Sequence, residues 1–283
     1  MFSRRWIINY VLIVLIVLFT YVGNKYDVQT GEQKSDRITT FSADDIDRLE
    51  VQTGGARMEL RREAGGWRLE SPIRWPANEF NVERLLEIIN ARTESKIDAA
   101  DVDPDAFGLQ FPRAIMHLGE TRVVFGITSN IGERRYTMID ETVYLLPDVY
   151  YPFITQGLPG LVDRRLLPKA IALQSLRLPE LEIIRGSDNG WRANGDGIGG
   201  EQTELLVGNW QSLEAARIKP YDAAATPRQK IMARLEDGDS LEFFLMSIEP
   251  EIVIAHPQLG LQYHFSHDYY YQLVSLRRNE VSG

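Results

Sequence analysis

The chain carries the same landmarks twice, in the same order, so whatever it folds into must supply a buried face for each copy. Ala-Gly-Gly-Trp-Arg at residues 64–68 returns as Asp-Asn-Gly-Trp-Arg at 188–192. Ala91-Arg92, with Lys96-Ile97-Asp98 behind it, returns as Ala216-Arg217 ahead of Lys219 and Asp222. Pro112-Arg113 before Ile115-Met116 returns as Pro227-Arg228 before Ile231-Met232. Three ordered matches with similar spacing point to a duplication, with residues 45–168 as the first repeat and 169–283 as the second.

Each copy then reads as one unit. In the first, which opens with Ile46, the pairs Leu49/Val51 and Met58/Leu60 follow a period of two on either side of Gly54-Gly55, which predicts a hairpin. A second turn at 64–66 leads into the alternation of Trp67 and Leu69. Val82, Leu85, Leu86 and Ile89 fall at i, i+3, i+4 and i+7, one face of a helix for which Asn78 or Asn81 is a suitable N-cap. Strands follow over 115–118, 122–127, 136–139 and 143–146. The second copy predicts strands over 173–178 and 181–185 and at Trp191, and a helix over 203–217 with Leu206, Trp210 and Leu213 on one side. Strands over 231–235, 241–246, 252–255 and 261–265 complete it. The connections are too short for parallel crossovers, so the expected class is α+β with mostly antiparallel sheets.

A short amphipathic helix is expected to close each copy. Leu-Pro-Asp-Val-Tyr-Tyr-Pro-Phe-Ile at 146–154 aligns with Ser-His-Asp-Tyr-Tyr-Tyr-Gln-Leu-Val at 266–274. Asp148 and Asp268 become the N-caps, and Tyr270 matches Tyr150 on the core side. Tyr269 opposes Val149 and has no aromatic counterpart.

Ahead of the duplicated part, Trp6 to Val22 contains no charged residue and is preceded by Arg4-Arg5. At 1.5 Å per residue a helix of that run spans roughly 25 Å, enough for a thin bilayer. Trp6, Tyr10 and Tyr21 lie near its ends, and the charge asymmetry predicts a cytoplasmic N-terminus and an exported body. The expected organisation is a signal anchor over 1–22 and a polar tether over 23–44. A cleaved signal peptide is the alternative, but Tyr21-Val22-Gly23 makes a poor cleavage site.

Charge and composition exclude some chemistry. With 31 basic and 40 acidic residues the formal net charge is −9, which argues against nucleic acid as a partner. The absence of cysteine removes disulfides, thiolate metal sites and a thiol nucleophile. Asp101-Val-Asp103-Pro-Asp105 imitates a calcium loop, but its sixth and twelfth positions are Ala106 and Pro112, so it reads as a turn. His264 and His267 are an odd number of positions apart, which on a strand puts them on opposite faces. Gly195-Asp-Gly197-Ile-Gly199-Gly200 lacks the residues of a phosphate loop and reads as a connection. Neither Gly-x-Ser-x-Gly nor His-Glu-x-x-His occurs. Trp67 and Trp191 stand at matching places and are expected in the core, since a duplicated fold needs its core twice. No catalytic residue, metal ligand or cofactor is assigned. Tyr269, Trp75 and His267 are the candidate binding residues.

Gly-Gly-Trp-Arg-Leu-Glu-Ser-Pro from Gly65, Ala-Asn-Glu-Phe-Asn-Val from Ala77, Phe-Gly-Leu-Gln-Phe-Pro from Phe107, Val-Val-Phe-Gly from Val123 and Arg-Arg-Tyr from Arg134 together resemble the domain of unknown function family 4340. The resemblance covers roughly residues 45–165 and is weaker in the second copy. It implies a membrane-anchored, extracytoplasmic bacterial protein of the kind found beside transporter permeases and gliding-type auxiliary systems. It carries no catalytic residue with it. The expected function is therefore a non-enzymatic accessory protein in the inner membrane, its body periplasmic, with an envelope partner such as a transporter permease. A periplasmic glycan- or small-ligand-binding protein is the alternative, and a carboxylate-dependent hydrolase ranks last.

Overall fold

Thr53 pairs with Ala56 across Gly54 and Gly55, whose φ angles of 58° and 80° are those of the tight turn that matches strand twist. That hairpin belongs to the first of two large antiparallel sheets in the computed structural model. The structure describes residues 36–276 except 40, 41, 94, 131, 169, 170 and 195–197. The expected anchor, most of the tether and the glycine run at 195–197 lie outside the described residues.

The first sheet has nine strands in the spatial order Trp75–Pro76, Gly66–Ser71, Ala56–Glu63, Arg48–Thr53, Ala114–Leu118, Thr121–Thr128, Arg134–Ile139, Thr142–Pro147 and Lys96–Asp98. The second has eight, in the order Trp191–Ala193, Glu182–Arg185, Leu173–Arg177, Gln229–Leu235, Ser240–Ser247, Glu251–His256, Leu261–Ser266 and Arg217–Pro220. Set aside the added edge strand Trp75–Pro76 and the two orders coincide, strand for strand, in the manner an internal repeat requires. Helix α1 (Glu79–Leu86) follows the opening strands of the first unit, and its counterpart after the opening strands of the second is Gly200–Ser212. The class is α+β, as its patterning predicts.

In chain order the helices are α1, α2 (Tyr151–Thr155), α3 (Leu158–Leu161), α4 (Gly200–Ser212) and α5 (Tyr270–Leu273). Asn78 caps α1 by accepting from the Asn81 amide, and Val82, Leu85, Leu86 and Ile89 are all buried. Trp67 is 5% exposed and Trp191 packs on the same core. In both units an arginine directly across the hairpin lies over the indole: Arg62 over Trp67 at 5.0 Å and Arg185 over Trp191 at 5.9 Å.

Three expectations are corrected. The second long helix ends at Ser212 rather than at Arg217, because Leu213 turns extended and Ala215 is drawn into backbone pairing with the chain that joins the two sheets. Arg217–Pro220 is instead an edge strand. Neither Asp148 nor Asp268 caps a helix: Asp148 is held by Arg135, and Ser266 accepts the amide of Asp268. The short closing helices themselves exist, and Leu273 is fully buried beneath α5. The end of the segment read as tether is attached, with Asp36–Arg37 paired to Arg92–Thr93 and Ser42 capping a turn at Ala43–Asp45.

The connection between the sheets is a clasp. On one side Asn78 N donates to Leu161 O at 2.8 Å and Asp163 N to Pro76 O at 3.0 Å. On the other, Ala215 N donates to Arg164 O at 2.9 Å and Leu167 N to Trp210 O at 3.0 Å. Leu161, Val162, Leu166 and Leu167 are fully buried, and buried apolar side chains from both sheets form one continuous cluster, with a small separate one of Leu109, Val124 and Val143 on the first sheet.

Two glycine substitutions should act in opposite directions. A Cβ at Gly126 would lie 2.3 Å from Phe107 O and 3.0 Å from Tyr136 O, backbone atoms of two different segments. Gly126→Ala is expected to destabilise by about 2 kcal/mol or more. Gly208, inside α4, has open space at its Cβ position, and Gly208→Ala should stabilise by about 0.5–1 kcal/mol. Urea denaturation of the two variants beside the parent checks both signs.

Candidate functional site

A cavity of about 710 Å³ opens where the two units meet along the clasp. The first turn of α1 forms one wall, the chain from Pro159 to Arg165 the floor, and the edge strand Arg217–Pro220 the other wall. Phe80 stands at this cleft, 59% exposed, with the Arg84 guanidinium 5.1 Å from its ring centroid.

Its charged groups are mostly committed. Asp163, 3% exposed, accepts from Arg165 N at 2.9 Å and Nε at 2.8 Å through Oδ1, and from Arg165 Nη2 at 2.5 Å through Oδ2. This bidentate contact holds the Arg165 guanidinium above its ordinary pKa. Glu79 Oε1 accepts the Trp67 amide at 2.6 Å. Arg164 bonds backbone only: Nε to Ala215 O at 2.9 Å and Nη2 to Ala216 O at 2.9 Å. Glu214 is exposed and forms no ion pair within 4.0 Å among the described residues. Arg217 reaches Glu251, which the His264 imidazole, then Arg217, hold below the usual carboxylate range.

The three candidate binding residues do not converge. Trp75 is 4% exposed and lies in the seam between the units, edge-on to His256 with ring centroids 5.1 Å apart. His267 is exposed, its Nδ1 is 2.7 Å from Ile248 O, and its ring stacks on Tyr270. Tyr269 is half-buried against the core, so its lack of an aromatic counterpart reflects packing at a turn. Tyr271 is the outward member of the three tyrosines, 48% exposed. The residues that do meet in the cleft are Phe80, Asp163, Arg164 and Arg165. Asp163, Arg164 and Arg165 are consecutive in the sequence with no motif to single them out, and only the clasp puts them at a junction.

Beneath the cleft the interior holds an unusual trio. His256 is 1% exposed, packed between Trp75 and Phe243, and among the described residues neither ring nitrogen has a hydrogen-bond partner; nor does Trp75 Nε1. Burial pushes the His256 pKa down to about 4. Tyr263 is likewise buried, its hydroxyl 3.4 Å from Asp163 O, and burial raises its pKa.

The motifs Phe107–Pro112, Val123–Gly126 and Arg134–Tyr136 come together elsewhere, on the outer face of the first sheet. Phe107 packs edge-on to Tyr136, with centroids 4.4 Å apart. Arg135 donates to both carboxylate oxygens of Asp148 at 2.8 Å, to Thr128 Oγ1 at 3.0 Å and to Gly126 O, and lies 3.6 Å from the Tyr151 ring centroid. A sequence model of the family described as Domain of unknown function (DUF4340) matches residues 67–237, more than half of the chain. The chain belongs to the DUF4340 family. The matched segment runs through the clasp into the second sheet, beyond the part where the motifs are clearest. No curated protein and no solved structure matches the chain. In this DUF4340 chain Phe107 and Leu109 fasten the loop before Ala114 onto the sheet, while Arg135 ties its strand to Asp148 and Tyr151.

The buried imidazole predicts a specific acid sensitivity. His256 has a folded pKa of about 4 against an ordinary 6.5, so the unfolded chain takes up its proton first. The neutral ring's contribution is complete above about pH 6.5 and is lost as pH falls toward 4, by up to about 3 kcal/mol. His256→Phe should therefore gain stability over the parent more at pH 5 than at pH 7.5. Denaturation at the two pH values measures the difference, and an equal gain at both would contradict the assignment.

Proposed function

We propose that this chain is a non-enzymatic accessory protein of the bacterial envelope, anchored in the inner membrane by the apolar run from Trp6 to Val22. Its N-terminus lies in the cytoplasm and its two-unit body in the periplasm, where it serves a partner such as a transporter permease. The observation that carries the reading is the uncharged run behind Arg4-Arg5, joined to a body fixed as one block by a continuous core. The cleft supports it as well: its buried carboxylate is saturated by Arg165, and its most perturbed neighbours, His256 and Tyr263, lie in apolar packing. The matching strand orders support descent of the two units from one duplicated copy.

The cleft favours a second reading, a small periplasmic ligand such as a glycan. A cavity of about 710 Å³ with an exposed aromatic ring and a guanidinium bonded only to carbonyls is of the size and chemistry of a ligand site.

Two measurements separate these. On the accessory reading, the full chain pellets with membranes, and protease added to spheroplasts digests the body but spares the N-terminus. Bifunctional cross-linking in intact cells then recovers it with another envelope protein; monomer alone, under conditions that capture known complexes, counts against the reading. On the ligand reading, a saturating envelope sugar raises the thermal midpoint, because a ligand bound only by the folded state must stabilise it. Phe80→Ala should abolish that shift while leaving the unliganded midpoint within about 2 °C.

A further inference from the structure

The fold accounts for most of Phe-Gly-Leu-Gln-Phe-Pro, but not for its second aromatic ring. Phe107 O accepts the Ile127 amide at 2.9 Å, and its ring packs on Tyr136. Gly108 has φ 66° and abuts Ile127. Leu109 is buried, and its amide and that of Gln110 both donate to Pro104 O, at 2.8 and 3.2 Å. Phe111 comes next and is 81% exposed, the most exposed large apolar side chain among the described residues. The second unit has no Phe-Gly-Leu-x-x-Pro run, so the repeat pattern does not require the ring either.

Hydrophobic side chains scattered on a surface are ordinary. Phe111 differs because its loop is tied down on the residues just before it, so the ring is presented with little conformational entropy left to lose on binding. Ile127, 49% exposed, adds apolar surface beside the loop at Gly108. The segment that leads to the ring is one-sided in charge, and Arg57, which shares a pocket with Pro112 and Arg113, is paired with Glu50 and Glu59. Asp98, Asp101, Asp103 and Asp105 are exposed, against the single guanidinium of Arg113 in that segment. Asp98 and Asp103 accept only the amides of Ala100 and Asp105, and none of the four is ion-paired among the described residues.

We infer that Phe111 anchors a protein contact, entering an apolar pocket on a partner whose rim carries lysine and arginine. Rigid aromatic anchors at the centre of a contact carry most of its energy, while complementary rim charges steer the encounter. The four carboxylates disfavour insertion of this loop into an anionic lipid surface. A second copy is also disfavoured, because the chain's own apolar groove, formed by Leu205, Leu206, Tyr271 and Leu276, belongs to the second unit, away from the Phe111 loop of the first. Seating Phe111 there would moreover join two different faces of the molecule, a head-to-tail contact that does not close as a two-fold dimer does. The inference rests on the accessory reading and names the surface that serves it.

The test places a photo-cross-linking phenylalanine at position 111 of the full chain in its native membranes, with Val149 and Leu205 as control positions. Position 111 should give one discrete adduct with another protein, mapped to a peptide flanked by Lys or Arg. Its yield should fall at least about 3-fold in 0.5 M salt and in the combined D101N, D103N and D105N variant. With that partner purified, Phe111→Ala should weaken binding at least about 10-fold, and Phe111→Trp should stay within about 3-fold of the parent. An adduct at 111 with lipid or with a second copy overturns the inference, as does an adduct insensitive to salt. Adducts from Val149 or Leu205 with none from 111 overturn it while leaving the accessory reading intact. No adduct from any of the three overturns both.

Discussion

Everything in this molecule depends on the clasp between the two sheets. The chain from Leu161 to Leu167 pairs its backbone with Pro76 and Asn78 on one side and with Trp210 and Ala215 on the other. A buried strand-like segment must satisfy its amides and carbonyls, and here it does so by binding both units. Its leucines fill the space beneath, so two sheets that would each expose a face share one core. Asp163 is part of the same device. Its side chain folds Arg165 back, its amide meets Pro76 O, and its carbonyl receives Tyr263. The cleft is a consequence of this junction, since it forms where α1, the clasp and the edge strand Arg217–Pro220 fail to close over it.

The two units solve the same packing problem with different detail. In each, a tryptophan on the third strand of the sheet lies under an arginine directly across its hairpin, Arg62 over Trp67 and Arg185 over Trp191. The flat guanidinium covers the indole face while keeping contact with water, which shields a large apolar ring near a sheet edge. The first unit adds a loop fastened over its outer face through Phe107 and Leu109. In the second, the corresponding loop over residues 222–228 is exposed throughout. The family motifs are thus densest where the first unit departs from the second, and they mark a fastening with one ring, Phe111, left over for contact.

Much of the fold was legible because strand and helix periods are local properties. The alternation through Met58 and Leu60 and the helical face of Val82, Leu85, Leu86 and Ile89 needed no partner to be read. The end of α4 was not legible, since residues after Ser212 continue a passable helical composition, and only pairing of Ala215 with Arg164 stops them. The closing turns were read correctly in place and incorrectly in capping. Asp148 looks like a cap in sequence, but Arg135, distant in the chain, offers it two charged donors, a stronger partner than a helix amide. Trp75 shows the same limit. A tryptophan beside prolines looks available to a ligand, and nothing local announces that His256 will lie against it.

By itself the sequence determined the class, the twofold repetition and the family, because periodicity, turn residues and short motifs are written along the chain. It also determined the uncharged run at the N-terminus on which the anchoring proposal rests. Tertiary structure alone decided which side chains meet. It put Asp163, Arg164, Arg165 and Phe80 around one cavity, buried Trp75 with a neutral His256, and left Phe111 in water. Those outcomes depend on contacts between residues far apart in sequence, and their physical cause is the clasp, which sets the units against one another and so fixes what is buried and what remains exposed.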